Sequence, residues 1–261
     1  MIRGPKSKVE VEERNHPVFC LLSFVLASFV LLGCSRHAGI ERVEWPVMGT
    51  IAAVQFRGGP VDQDVVGSVR AAFEKVNAEF NAFDEQSAIR RTGKNTAFGQ
   101  PCWDFAFKLK EQTGGAFDPR WQGKGRLDFG AVAKGFAVDL AAERVRALAR
   151  SVDVLIDLGG NLKATKGDWT VGIRDGESFV LREGEACATS ARYYRGNHIK
   201  DGRTGGDVAN AAHSVTVVHS SSAMFADGLS TVMFILGREK GEAFLKEHYP
   251  EARAVWINAG L

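Results

Sequence analysis

Asp227 and Thr231 stand four residues apart, so on a helix they share one face. A carboxylate and a hydroxyl are hard oxygen donors of the kind that hold Mg2+, an ion that keeps several waters and bridges phosphates. The same spacing also fits a helix-capping aspartate with a back-bonded threonine. A second group is Asp128-Phe-Gly-Ala-Val-Ala-Lys134-Gly135, which enters a helix. Free N–H groups at a helix start attract anions, and Lys134, one turn in, adds a point charge suited to phosphate. Gly130 and Gly135 let backbone come close to a ligand. An ordinary capped helix with a solvated lysine has the same pattern. A third group, His198-Ile-Lys-Asp201-Gly-Arg203-Thr204-Gly205, puts an imidazole, a carboxylate, a guanidinium and a hydroxyl on a glycine-rich turn. An imidazole with a pKa of about 6.5 can take a proton at neutral pH. The bland alternative is a polar surface hairpin. Asp157-Leu-Gly-Gly-Asn161 is a sharp turn after a buried strand, and as a generic turn it needs no function.

The elements that must position these groups follow from periodicity and turn residues. Residues 50–56 read as a strand, with a turn at Gly58-Gly59-Pro60. Val65, Val69, Ala72, Val76 and Phe80 line one face of a helix over 62–83. Residues 84–100 read as polar loop and 103–112 as a helix closed by Gly114-Gly115. A third helix covers 131–150, with Arg144, Arg146 and Arg150 near its C-terminus, where the macrodipole favours cations. Strands are read at 154–156, 169–173, 186–189, 214–218 and 252–257, and helices at 224–236 and 239–248. Strand and helix do not alternate cleanly. That ordering predicts an α+β fold rather than a doubly wound parallel sheet.

Residues 1–34 read as an address. Arg3, Lys6, Lys8 and Arg14 precede an uncharged run from Val18 to Leu32. The run is shorter than the ~20 residues of a membrane-spanning helix and suits a signal peptide. It ends in Leu31-Leu-Gly-Cys34, which resembles the bacterial lipobox, whose cysteine takes a diacylglycerol. An uncleaved membrane anchor and a buried strand with an incidental cysteine are the competing readings. Glu10, Glu12 and Glu13 leave the leader almost neutral, where a basic leader is usual. The expectation is export to the periplasmic side of a bacterial membrane and anchoring there through Cys34. Residues 1–33 are then the signal, 34–46 a tether, and 47–261 the functional domain. The whole chain carries a net charge of +2 with no block or stripe of basic residues, so nucleic acid is not an expected partner. Cys102 and Cys187 show no metal-ligand spacing and read as two buried free thiols rather than a disulfide.

Taken together and in order, several segments resemble the FAD:protein FMN transferase family, the ApbE-type flavin transferases. They are Met48-Gly-Thr50, Phe83-Asp-Glu-Gln-Ser87-Ala-Ile-Arg90, Thr113-Gly-Gly-Ala116-Phe117-Asp118-Pro119, the stretch from Asp128 to Asp139, and that from Ile156 to Asn161. Ala188-Thr-Ser190, the His198 turn, and Ser214-Val-Thr-Val217 leading to Asp227 and Thr231 complete the set. The resemblance implies a T-fold-like α+β domain, antiparallel sheets with packed helices in one compact domain of two intimate lobes. It implies a periplasmic enzyme, often a lipoprotein, that moves the FMN half of FAD onto a Thr or Ser hydroxyl of an acceptor flavoprotein and releases AMP. Implied flavin contacts are Met48, Phe83, Ala116, Phe117, Asp118, Asp128, Lys134, His198, Ile199, Arg203 and Thr204. Implied Mg2+ ligands are the Ala131 carbonyl, Asp227 and Thr231. His198 is the candidate base, with Asp201 orienting it.

The chain departs from the family pattern in places. Phe83 stands where Tyr is common, Ala191-Arg192 replaces Gly-Asp, and Gly202 replaces a Pro, which predicts a looser turn. The stretch between Asp118 and Asp128 is short where relatives commonly carry a long insert. Two other functions use the same pocket: a non-catalytic FAD-binding lipoprotein, and an FAD pyrophosphatase giving FMN and AMP.

Overall fold

The computed structural model describes residues 39–123, 125–149, 151–174, 176, 178–192, 198–208 and 212–258. Cys34 and the leader lie outside the described residues, as does Arg150. Strands β1 (Ile40–Val47) and β2 (Thr50–Arg57) form a hairpin in which Val47 pairs with Thr50. The two-residue turn has positive φ at both Met48 (50°) and Gly49 (68°), the geometry that matches the right-handed twist of paired strands. Residues 40–46 are therefore not tether. They are the edge strand of the sheet, and the domain begins by Ile40.

Helix α1 (Gln63–Phe80) starts where Asp62 accepts from the N–H groups of Asp64 and Val65. It ends three residues earlier than its periodicity predicts. There, Asn81 and Asp84 side chains accept from the N–H groups two residues on (Phe83 and Gln86) and turn the chain away. The stretch read as polar loop holds a short helix, α2 (Ala88–Thr92), capped by Ser87 and ended by Gly93 in the left-handed region. Helix α3 (Gln100–Gln112) begins before the predicted Trp103, since Pro101 suits a first turn. Then come α4 (Ala133–Leu148), β3 (Asp153–Leu158), β4 (Asn161–Lys166), β5 (Trp169–Gly172), β6 (Ser178–Leu181), β7 (Ala186–Ala191) and β8 (Ala212–His219). Helices α5 (Ala223–Leu236) and α6 (Arg238–His248) and strand β9 (Ala252–Asn258) follow.

Seven strands make one antiparallel sheet in the order β1-β2-β3-β4-β7-β8-β9, and β5 and β6 form a separate hairpin between β4 and β7 in sequence. Alternation along the strands divides the core. Val54, Phe56, Ile156, Leu158, Val215 and Val217 face the helices and join the main apolar cluster. Leu155, Leu162, Ala164, Cys187 and Val218 point to the other face, where Trp169, Val171 and Leu181 of the small hairpin cover them. Cys102 and Cys187 are both buried and free. They belong to clusters on opposite faces of the sheet, so they do not meet. The α+β expectation holds. Helix α5 is apolar nearly all round because it is enclosed by α4, α6 and the sheet.

Candidate active site

The site is built where α4 and α5 cross. A Cβ on Gly135 would lie 2.2 Å from the carbonyl oxygen of Ala223, so only glycine permits this approach. The crossing brings the Asp227 carboxylate of α5 to the start of α4. Its Oδ2 accepts from the Gly135 N–H at 3.0 Å, and Lys134 Nζ lies 3.3 Å from both carboxylate oxygens. Lys134 also donates to the Gly130 carbonyl at 2.9 Å. Burial raises the Asp227 carboxyl above the usual range, against the pull of Lys134 and the Gly135 N–H. The helix start is thus less open than its sequence suggests. The N–H groups of Val132 and Ala133 bond to the Phe129 carbonyl, and that of Gly135 is taken by Asp227. Lys134 is ion-paired rather than solvated.

Thr231, one turn after Asp227, donates to the Asp227 carbonyl at 3.4 Å. Its hydroxyl lies 3.3 Å from Ser190 Oγ of β7, which in turn lies 2.9 Å from Ser230 Oγ. The sequence alone does not mark Ser190 and Ser230 as site residues. Ser190 is distant in sequence, and only the pairing of β7 beneath α5 brings it in. Among the described residues, no group of three or more His, Cys, Asp and Glu side chains is placed to hold a metal. The candidate cation ligands are one carboxylate, Asp227, with hydroxyl and carbonyl oxygens.

A second cluster joins this one through Asp128. Asp128 Oδ1 accepts from the Gly130 N–H at 2.8 Å, and its Oδ2 accepts from Trp121 Nε1 at 3.3 Å. Its own N–H bonds to the Pro119 carbonyl at 2.9 Å, which ties Asp128 back to the start of the short stretch after Asp118. Ala116 and Phe117 are buried. Asp118 pairs with Lys110 at 2.8 Å. The His198 turn is fastened to this loop: Gly202 N–H donates to the Ala116 carbonyl at 2.8 Å, and a Cβ there would lie 2.6 Å from the Gly115 oxygen. The turn is therefore held where a looser one was expected, because the glycine allows a contact that proline would block. His198 and Thr204 are exposed, and Ile199 packs against the main core. Both Asp201 oxygens accept from Arg203, at 2.9 and 2.5 Å. The Arg203 guanidinium holds the Asp201 carboxyl below the usual range. The geometry assigns Asp201 first to Arg203.

Met48 sits at the same end of the sheet. Its turn abuts the Gly159-Gly160 turn, where the Gly159 N–H bonds to Ile51 and a Cβ would strike Thr50. A non-glycine residue at positive φ is uncommon and marks a strained position. Phe83 is 92% exposed and is not packed against the other candidate residues. Arg192, the reversed charge, bonds to the Val208 carbonyl and lies 5.3 Å over the Phe234 ring.

Residues 120–256 match the ApbE family. An FAD:protein FMN transferase of Haemophilus influenzae is 32% identical over an alignment spanning 84% of this chain and 88% of that protein. One from Klebsiella pneumoniae is 37% identical over 46% of this chain, and one from Treponema pallidum 33% over 51%. The chain spans only 42% and 43% of the lengths of those two relatives. Among solved structures, the flavin transferase ApbE from Vibrio cholerae superposes with a TM-score of 0.71 at 20% identity, covering 85% of this chain and 94% of that one. An apbe protein from Thermotoga maritima gives 0.72 at 19% identity, covering 84% and 94%. At such identities these structures show a shared fold.

Proposed function

The chain belongs to the ApbE family, and from that premise we propose that it transfers the FMN half of FAD to a Thr or Ser hydroxyl of an acceptor flavoprotein, releasing AMP. The observation that carries this reading is the α4–α5 crossing, which gathers Lys134, Asp227 and Thr231 at one point beside the Asp128 loop. In this reaction the acceptor oxygen bonds to the FMN phosphorus as the bond from that phosphorus to the AMP oxygen breaks. The acceptor proton goes to the His198 imidazole, and Lys134 faces the negative charge that grows on the leaving AMP. Arg203, held by Asp201, and the Ala116–Asp118 loop fix one wall of the flavin site.

The residues present fit a divalent cation. Asp227 is a buried carboxylate, and Thr231 and the Ala131 carbonyl are hard oxygens, a set suited to Mg2+ with the remaining positions given to water and phosphate. When bound, Mg2+ would neutralise diphosphate charge. We further propose that the protein works on the periplasmic side of a membrane, anchored through Cys34; the apolar run ending in Leu31-Leu-Gly-Cys34 supports this.

The test is His198→Ala, assayed for FMN transfer and, separately, for FAD binding by flavin fluorescence. Transfer is expected to fall by about a hundredfold or more, with FAD affinity changed far less. Transfer at the normal rate would remove His198 from the mechanism. FMN and AMP without an adduct in the unmodified protein would identify a pyrophosphatase, and intact bound FAD a binding protein.

A further inference from the structure

Helices α4 and α5 exchange carboxylates. Asp227 of α5 accepts from the Gly135 N–H in the first turn of α4. In return, Asp139 of α4 accepts from the first two N–H groups of α5, Ala223 at 2.9 Å and Met224 at 3.0 Å, and from Ser222 Oγ at 2.7 Å. Beneath this exchange lies Lys163 of β4, whose side chain is 3% exposed. It donates to Asp139 Oδ1 at 2.8 Å and to the Ser221 carbonyl. A buried ammonium persists only when it is paired and hydrogen-bonded, and here both partners bear on the start of α5. Capping the start of α5 does not require Asp139. Ser222 already caps the helix by accepting from the Phe225 N–H at 3.1 Å. What Asp139 adds is attachment to a second helix, which fixes where α5 begins and how it is rotated.

We propose that Asp139, held by Lys163, is a positioning residue for the candidate cation and phosphate site. It sets the start of α5 on α4, and so the place of Asp227 and Thr231, one and two turns further on, relative to Lys134. The carboxylate exchange makes the two helix starts mutually dependent. Displacement of α5 at Ala223 also carries Asp227 off the Gly135 N–H. This inference rests on the reading of Asp227 and Thr231 as cation ligands.

The test uses the full chain with Mn2+ as the probe, its binding followed by electron paramagnetic resonance, alongside thermal unfolding. Asp139→Asn keeps the side-chain shape but removes the charge and presents an amide to one set of donors. The expected result is a Mn2+ affinity weakened about tenfold or more at temperatures well below unfolding. Val171→Ala, on the inner face of the β5–β6 hairpin across the sheet from the site, supplies a destabilised control whose Mn2+ affinity stays at the parent value. Ser222→Ala removes one donor to Asp139, and a smaller shift in the same direction is expected. If Asp139→Asn does not fold, that variant decides. Parent-like Mn2+ binding by Asp139→Asn, or by Ser222→Ala in its place, overturns the proposal. Loss of binding in Asp227→Asn together with unchanged binding in Asp139→Asn overturns the positioning role alone. Unchanged binding in Asp227→Asn overturns the cation site and the proposal with it.

Discussion

Asp157 occupies a buried position on β3, 1% exposed, with Oδ1 accepting from the Gly160 N–H and Oδ2 without a hydrogen-bond donor. Burial raises its carboxyl from the ordinary 3.8 to about 6, against the Gly160 N–H and the Arg42 charge. A raised carboxyl means that the folded protein holds the proton more tightly than the unfolded chain. The stability this gives is full below pH of about 4 and is lost as pH rises through about 6. Asp157→Asn should therefore gain stability over the parent as pH rises across that window, by about 3 kcal/mol at neutral pH. Thermal unfolding measured from pH 4 to 8 checks this, and a gap independent of pH would contradict it. The pairing of Asp227 with Thr231 was legible in the sequence because a four-residue spacing is a local property of a helix. The Ser190 contact and the Lys134–Asp227 ion pair were not, since each joins residues that only the fold brings together.

At the scale of elements, the long helices could be read because their buried faces repeat at helical spacing, as α1 does from Val65 to Phe80. Strand β4 could not. Its sequence, Asn-Leu-Lys-Ala-Thr-Lys, carries two lysines, and Lys163 is buried because Asp139 of α4 and the Ser221 carbonyl receive its ammonium. Strand β1 escaped notice because an edge strand is half-exposed and mixes charged with apolar residues. The loop elements carry their own prediction. The Gly202 N–H bonds to the Ala116 carbonyl, and a Cβ would collide with the Gly115 carbonyl oxygen and the Asp118 Cβ. Gly202→Pro, which restores the residue usual in relatives, should destabilise the protein by about 1–3 kcal/mol. It should weaken FAD binding as well, because the His198 turn loses its attachment to the Ala116–Asp118 loop. Differential scanning calorimetry and flavin fluorescence test the two effects; unchanged values in both would show that the turn is not held by this contact.

At the scale of the whole molecule, the mixed order of elements was sufficient to foresee α+β. The order β1-β2-β3-β4-β7-β8-β9 was not legible, because strand pairing depends on long-range contacts that no local pattern encodes. The described domain begins by Ile40, so an anchor at Cys34 would leave only a few residues between membrane and fold. Holding an enzyme at the surface where its acceptors sit raises their effective concentration. Removal of residues 1–34 should leave FAD and divalent-cation affinities unchanged while releasing the protein from membranes, as read by titration calorimetry and membrane fractionation. The most direct test of the central claim is the mass of an acceptor flavoprotein after incubation with this protein, FAD and Mg2+. The account predicts one covalently attached FMN on a Thr or Ser of the acceptor, with an equal amount of AMP released. An acceptor of unchanged mass, with FAD left whole or split into free FMN and AMP, would contradict it.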